Sequence, residues 1–211
     1  MTPDTELLVL LNPNNPMGNV YSEDEMEMLI SKARENEITV LIDEAYYYFY
    51  PNSFIRYALT EEHVFITRTF SKLFSLAGCR LGYVVGWPEG IELVQKLCTP
   101  HNVNAFGMLF AQKIIEKEGM LEELIRLQKE GKDYLISWLD DNDYRYNAKE
   151  GNFLFIQPKS DARELVNKMK QEDILIKSYP DVGDLGVCLR VTTGEKKYME
   201  RFTEALVKLD K

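Results

Sequence analysis

Four short apolar runs, each closed by a cluster of polar residues, dominate the first half of the chain. "ELLVLL" stops at Asn12-Pro13, "ITVLI" at Asp43, "VFITR" at Thr69 to Lys72, and "RLGYVV" at Gly86-Trp87-Pro88. Uninterrupted apolar runs of this length read as strands covered on both faces. Between the first two, "SEDEMEMLISKAREN" puts Ser22 and Glu25 at capping-box spacing and Met26, Leu29, Ile30 and Ala33 on one helical face. Strand, helix, strand predicts parallel pairing, and ligands of open parallel sheets bind beyond the carboxyl ends of the strands. Asn12 to Asn15, Asp43 to Tyr46 and Thr69 to Lys72 all fall there.

From Ala105 the pattern changes to two helices, "AFGMLFAQKIIEKEG" and "MLEELIRLQKEGKDYLISWLDDN", the second long enough to carry the chain away from the sheet. A boundary is therefore expected along it, with 1–120 as one domain, 121–140 as a linking helix and 141–211 as a smaller domain. The last part orders "YRYNAKEGNFLFIQP", a helix at "ARELVNKMKQED", strands at "ILIKS" and "GVCLRVTT", and a helix at "KKYMERFTEALVKL". That ordering predicts an α+β layer with its helices on one face. The expected fold class is α/β: a mostly parallel sheet with flanking helices, followed by a C-terminal α+β domain.

Composition narrows the chemistry. A net charge of -9 lacks the positive field that a nucleic-acid or anionic-membrane surface needs. No apolar run approaches the roughly 20 residues of a membrane span, and the start lacks a signal-peptide pattern, so a cytoplasmic location is expected. Cys79, Cys98 and Cys188 are scattered and read as reduced, mostly core thiols, and His63 and His101 are too few and too far apart for a metal cluster. No metal is expected.

Lys72 alone is an ordinary surface lysine, and "NPNNPMG" alone is a turn. "VLIDEA" alone also describes the magnesium-binding strand of P-loop NTPases, but the Gly-x4-Gly-Lys-Ser/Thr loop such enzymes need is absent. In combination, Asn-Pro-x-Asn-Pro-x-Gly, Asp-Glu-Ala-Tyr, Thr-Phe-Ser-Lys and Leu-Ala-Gly-x-Arg-x-Gly-Tyr, in this order on successive strand ends, resemble the fold-type-I aminotransferases that use pyridoxal 5′-phosphate. Within these the chain is most similar to the histidinol-phosphate aminotransferase branch.

The resemblance implies that 1–120 is part of a large cofactor-binding domain and 141–211 the small domain of a homodimeric enzyme of amino-acid metabolism. It implies that Lys72 bonds covalently to the cofactor aldehyde and, once released, moves the substrate's proton. Asp43 pairs with the pyridine nitrogen, Asn15 and Tyr46 hydrogen-bond the phenolic oxygen, and Thr69, Ser71 and Arg80 hold the phosphate. Arg190 in "CLRVTTG" receives the substrate's carboxylate or phosphate. Lys177 stands where the branch usually has a second arginine, Tyr48 where it commonly has an acid, and Met17 where it has threonine; these departures leave the substrate open.

Further expectations follow from the resemblance. The chain corresponds to the later part of such enzymes, so a glycine loop for the phosphate, an aromatic that stacks on the pyridine and the residues offered to a neighbour's site fall outside it. The part alone is expected to be inactive and to leave an apolar face uncovered. The implied activity is transfer of an amino group between an amino donor and a 2-oxo acid or related ketone. The alternatives are an amino-acid phosphate decarboxylase with the same cofactor residues, or a non-catalytic dimerisation unit.

Overall fold

The structure, a computed structural model, describes residues 1–2 and 4–211. It divides into two compact units, Met1–Leu121 and Glu122–Lys211.

In the first unit, β1 (Leu7–Leu11), β2 (Thr39–Asp43), β3 (Val64–Thr69) and β4 (Gly82–Val85) form one sheet in the order β1-β2-β3-β4. The β1–β2 and β2–β3 pairs are parallel, with Leu11 opposite Asp43 and Asp43 opposite Thr67; β3 and β4 are antiparallel, with Thr69 opposite Gly82. Helix α1 (Glu23–Glu35) connects the first two strands and α2 (Ile55–Thr60) the next two. The capping box forms: Glu25 N–H donates to Ser22 Oγ at 3.2 Å and Ser22 N–H to Glu25 Oε2 at 2.8 Å. Met26, Ile30 and Ala33 of α1 and Ala58 of α2 bury one core with Leu10, Val40, Ile42, Val64 and Ile66.

These strand residues alternate, so both helices share one face of the sheet. Right-handed crossovers that step repeatedly in the same direction require this. The same rule corrects the expectation that every run is covered on both faces. Leu7 and Val9 of β1 are 53% and 47% exposed, and Tyr83 and Val84 of β4 are exposed too. A continuous apolar run shows that a strand is apolar on both sides, not that both sides have a helix.

Strand β4 returns beside β3 after residues 70–81. Phe70 N–H donates to Leu81 O at 3.0 Å, closing the excursion. Gly82 permits the approach, because a Cβ there would lie 2.7 Å from the carbonyl oxygen of Arg68. Beyond β4 lie α3 (Pro88–Lys96) and α4 (Ala105–Glu116), with Leu97 88% and Phe106 77% exposed. The sequence reading missed α3, although Pro88 at its first turn and Glu89 after it are start signals.

Helix α5 (Met120–Asp141) lies in the second unit from Glu122 onward. The segment 121–140, read as a link, supplies Leu135 and Leu139 to that unit's core, alongside Leu154, Leu165, Leu189 and Leu206. Strands β5 (Tyr146–Asn147), β6 (Phe153–Ile156), β7 (Lys177–Tyr179) and β8 (Cys188–Thr192) form an antiparallel sheet in the order β5-β6-β8-β7, with α6 (Ala162–Gln171) and α7 (Lys196–Leu209). Leu154, Ile156, Leu189 and Val191 join the helices in the core, whereas Phe153, Phe155 and Arg190 alternate to the other face. Gly131 of α5 is buried beneath the loop that follows β8. Asp210 is 5% exposed and fastens the chain beyond β6: its carboxylate accepts from Lys159 N (3.0 Å), Ser160 N (2.7 Å) and Ser160 Oγ (2.6 Å). Of the three cysteines only Cys188 is buried, Cys98 being exposed, so the reading of mostly core thiols is corrected.

Among the described residues, no helix is long and apolar enough to cross a membrane.

Candidate active site

Parallel pairing brings the carboxyl ends of β1, β2 and β3 to one edge, and backbone bonds continue past the strands there. Asn12 N–H donates to Asp43 O, and Glu44 N–H to Thr67 O, both at 2.9 Å. Asp43 ends β2 half-buried, with Oδ1 accepting the Ala45 N–H at 2.9 Å. That bond orients the carboxylate before any ligand is considered. Tyr46 follows, buried, and Lys72 Nζ lies 5.2 Å from the centre of its ring. At the end of β3, Thr69 Oγ1 accepts the Ser71 N–H at 3.0 Å and sits 2.9 Å from Ser71 Oγ. The two hydroxyls thus form one polar pair.

Asn15 is exposed in the loop between the cis peptides Asn12-Pro13 and Asn15-Pro16, a loop held by Met17 N–H donating to Asn14 Oδ1 at 3.1 Å. Arg80 is exposed, with a left-handed φ of 52°, and Nη1 donates to Ala77 O at 3.3 Å. The Thr69–Ser71 pair and the Lys72–Tyr46 pair are each brought together. Arg80 and Asn15 stand at the same edge, each exposed. Lys177 and Arg190 belong to the second unit, where they face each other across β7 and β8. Arg190 lies over the Phe153 ring, 4.2 Å from its centre.

Three residues to which the sequence reading gave no role also belong to this edge. Asn12 is 1% exposed; its Oδ1 accepts the Tyr21 N–H at 3.0 Å, and its Nδ2 has no hydrogen-bond partner among the described residues. Glu44, 1% exposed, pairs with Arg68 at 2.8 Å. A charge inside a strand has to be paired when buried, and that was the available signal for Arg68 in "FITRT". Burial opposes the Arg68 charge, but hydrogen bonds to Tyr83 and Glu44 outweigh it and hold the guanidinium above its usual range. Burial, joined by the neighbouring Tyr83, pushes the Tyr48 phenol up to about 12.

A lysine, a carboxylate, a phenol and paired hydroxyls thus stand at the carboxyl ends of parallel strands, where open α/β sheets bind their ligands. The family model for aminotransferase class I and II matches residues 2–206, and the chain belongs to that family. It is 32% identical over 211 residues to a histidinol-phosphate aminotransferase of Moorella thermoacetica, covering 98% of this chain and 54% of that protein. The histidinol-phosphate aminotransferase of Clostridium acetobutylicum has the same fold, with a TM-score of 0.85 at 23% identity over 98% of this chain and 64% of that one. That of Sinorhizobium meliloti, solved in complex with pyridoxal-5′-phosphate, has a TM-score of 0.80 at 25% identity over 96% of this chain and 57% of its own. The chain spans about half the length of the curated relatives it matches. Aminotransferases of class I and II use pyridoxal phosphate.

The residues present fit that cofactor. An aldehyde calls for an amine, a pyridine nitrogen for a carboxylate, and a phosphate for hydroxyls and a cation. Lys72, Asp43, the Thr69–Ser71 pair and Arg80 offer those groups at this edge, and the buried Asn12 Nδ2 is a further donor there.

Proposed function

We propose that the protein is a pyridoxal-phosphate transaminase that moves an amino group between an amino donor and a 2-oxo acid or related ketone, with histidinol phosphate as its leading candidate substrate. The contact of Lys72 with Tyr46 beside Asp43 carries the reading. When bound, pyridoxal phosphate supplies an aldehyde for the amino group and a ring that accepts electrons from the substrate's Cα. Lys72 would hold the cofactor's aldehyde end through Nζ and, once released, its free amine would take the proton from the substrate's Cα. Asp43 keeps a proton on the pyridine nitrogen. Tyr46 and Asn15 donate to the phenolic oxygen, while Thr69, Ser71 and Arg80 grip the phosphate. In the second unit Arg190 takes the substrate's anionic group, with Lys177 across the strand pair as a second positive charge. The same proposal includes a cytoplasmic homodimer acting on small molecules.

Borohydride reduction of the full-length enzyme in the presence of pyridoxal phosphate, followed by peptide mapping, should place the label on Lys72. A label on another lysine removes the assignment. Products of turnover separate the decarboxylase alternative, because only transamination leaves pyridoxamine phosphate behind.

A further inference from the structure

Strand alternation turns Asp43, Thr67 and Thr69 to one face of the sheet and Glu44 and Arg68 to the other, directly behind them. There Arg68 Nε and Nη2 both donate to Glu44 Oε2, at 2.9 and 2.8 Å, with the two side chains 9% and 1% exposed. Ser53 Oγ lies 3.0 and 2.9 Å from the two carboxylate oxygens and accepts from Arg68 Nη2 at 2.7 Å. The Phe54 N–H donates to Glu44 Oε1 at 2.8 Å. The Arg68 guanidinium also covers the Tyr47 ring, 3.6 Å from its centre.

An ion pair this desolvated adds little stability over well-packed apolar residues of the same volume, so stability alone does not account for it. Its bonds instead connect three pieces that have to agree: the end of β2, the end of β3, and the returning limb of residues 44–54. Tyr46 stands inside that limb. Glu44 closes it at Ser53 and Phe54, and Arg68 fixes the direction of the turn by lying against Tyr47.

We propose that Glu44 and Arg68 are positioning residues, which hold Tyr46 against Lys72 and keep the strand ends bearing Asp43 and Thr69 in register. The proposal rests on reading Asp43, Tyr46 and Lys72 as one site.

The test reads the unliganded chain. Its lysines are converted to ¹³C-dimethylamines, and the Lys72 resonance is assigned by its loss in Lys72→Arg; the Tyr46 ring should shift that resonance away from those of exposed lysines. Replacing both partners, as Glu44→Gln with Arg68→Met, removes the charges without leaving one buried alone. The double variant should melt close to the native chain while its Lys72 resonance moves into the exposed group. A purely structural pair would give native melting and an unmoved resonance, which overturns the proposal. Should the double variant fail to fold, Arg68→Lys keeps the charge but loses the fork, and its Lys72 resonance decides in the same way. A native Lys72 resonance already among the exposed lysines also overturns it. Labelling of Lys72 by pyridoxal phosphate and borohydride is scored separately: its failure removes the cofactor reading and leaves the positioning result standing.

Discussion

Gly131 lies on the buried side of α5, in line with Leu135 and Leu139, where only a hydrogen fits beneath the loop after β8. A Cβ added there would sit 1.7 Å from Gly194 O, 2.9 Å from Gly194 C and 3.0 Å from Glu195 C. All three atoms are backbone, so no side chain can swing aside, and helix and loop have to separate by more than about an ångström to reach ordinary contact. On helix propensity alone, Gly131→Ala would stabilise by about 1 kcal/mol. Overpacking against fixed atoms costs about 1–3 kcal/mol and sometimes more, and contact with backbone puts this case at or above the upper end. The net expectation is a loss of about 2 kcal/mol. For a unit of this size that lowers Tm by roughly 10 °C. Circular dichroism melts of the two proteins measure it, and an unchanged or raised Tm in Gly131→Ala would refute the packing argument. The loop is also tied to the residue before β6 by the Thr193 N–H donating to Asn152 O at 2.8 Å, so the displacement should reach Arg190 as well.

Three further outcomes are expected. In the full-length enzyme, Arg190→Ala should raise KM for an anionic substrate about ten- to hundredfold with a smaller change in kcat, since a charge-assisted bond is worth about 1.5–3 kcal/mol; steady-state kinetics with phosphorylated and plain amino donors would show it, and an unchanged KM would contradict it. Asp210→Ala leaves the part-buried N–H groups of Lys159 and Ser160 without their acceptor and should lower stability by about 2 kcal/mol in urea unfolding, whereas a loss below about 1 kcal/mol would mean that water replaces the carboxylate. Because the folded Tyr48 phenol titrates at about 12, above its ordinary value, its contribution to stability is complete below about pH 10 and lost as pH rises toward 12; Tyr48→Phe should show a shallower alkaline loss, and parallel curves would exclude the effect.

What could be read from the chain was local. The α1 capping box lies within four consecutive residues, and Ser22 and Glu25 meet as their spacing predicts. The antiparallel direction of β4 could not be read, because alternation and apolarity are the same for either direction; it depends on where residues 70–81 return. The strand expected at "ILIKS" starts only at Lys177. Ile174 is still occupied with the end of α6, its N–H donating to Met169 O at 3.0 Å after Asp173 takes a φ of 57°. At the site, Asp43, Tyr46, Thr69, Ser71 and Lys72 were legible because each sits within a few residues of a strand end. Glu44 with Arg68 was not, although both letters were in view, since which buried charge meets which depends on the register of β2 against β3.

The closed excursion of residues 70–81 also determines where the chain tolerates changes of length. Lys72 and Arg80 both stand within it, and the antiparallel pairing of Thr69 with Gly82 anchors its two ends to each other. An insertion in the crossovers that carry α1 or α2 leaves those ends where they are, as surface connections usually allow. One added residue between Phe70 and Leu81 has no such outlet, because the closing bond sets both ends and the extra length has to bulge among the lysine, the hydroxyls and the arginine. Deletions there would shorten the reach between amine and guanidinium directly. Variation in length should therefore gather in the crossovers, while residues 70–81 behave as a segment of fixed gauge.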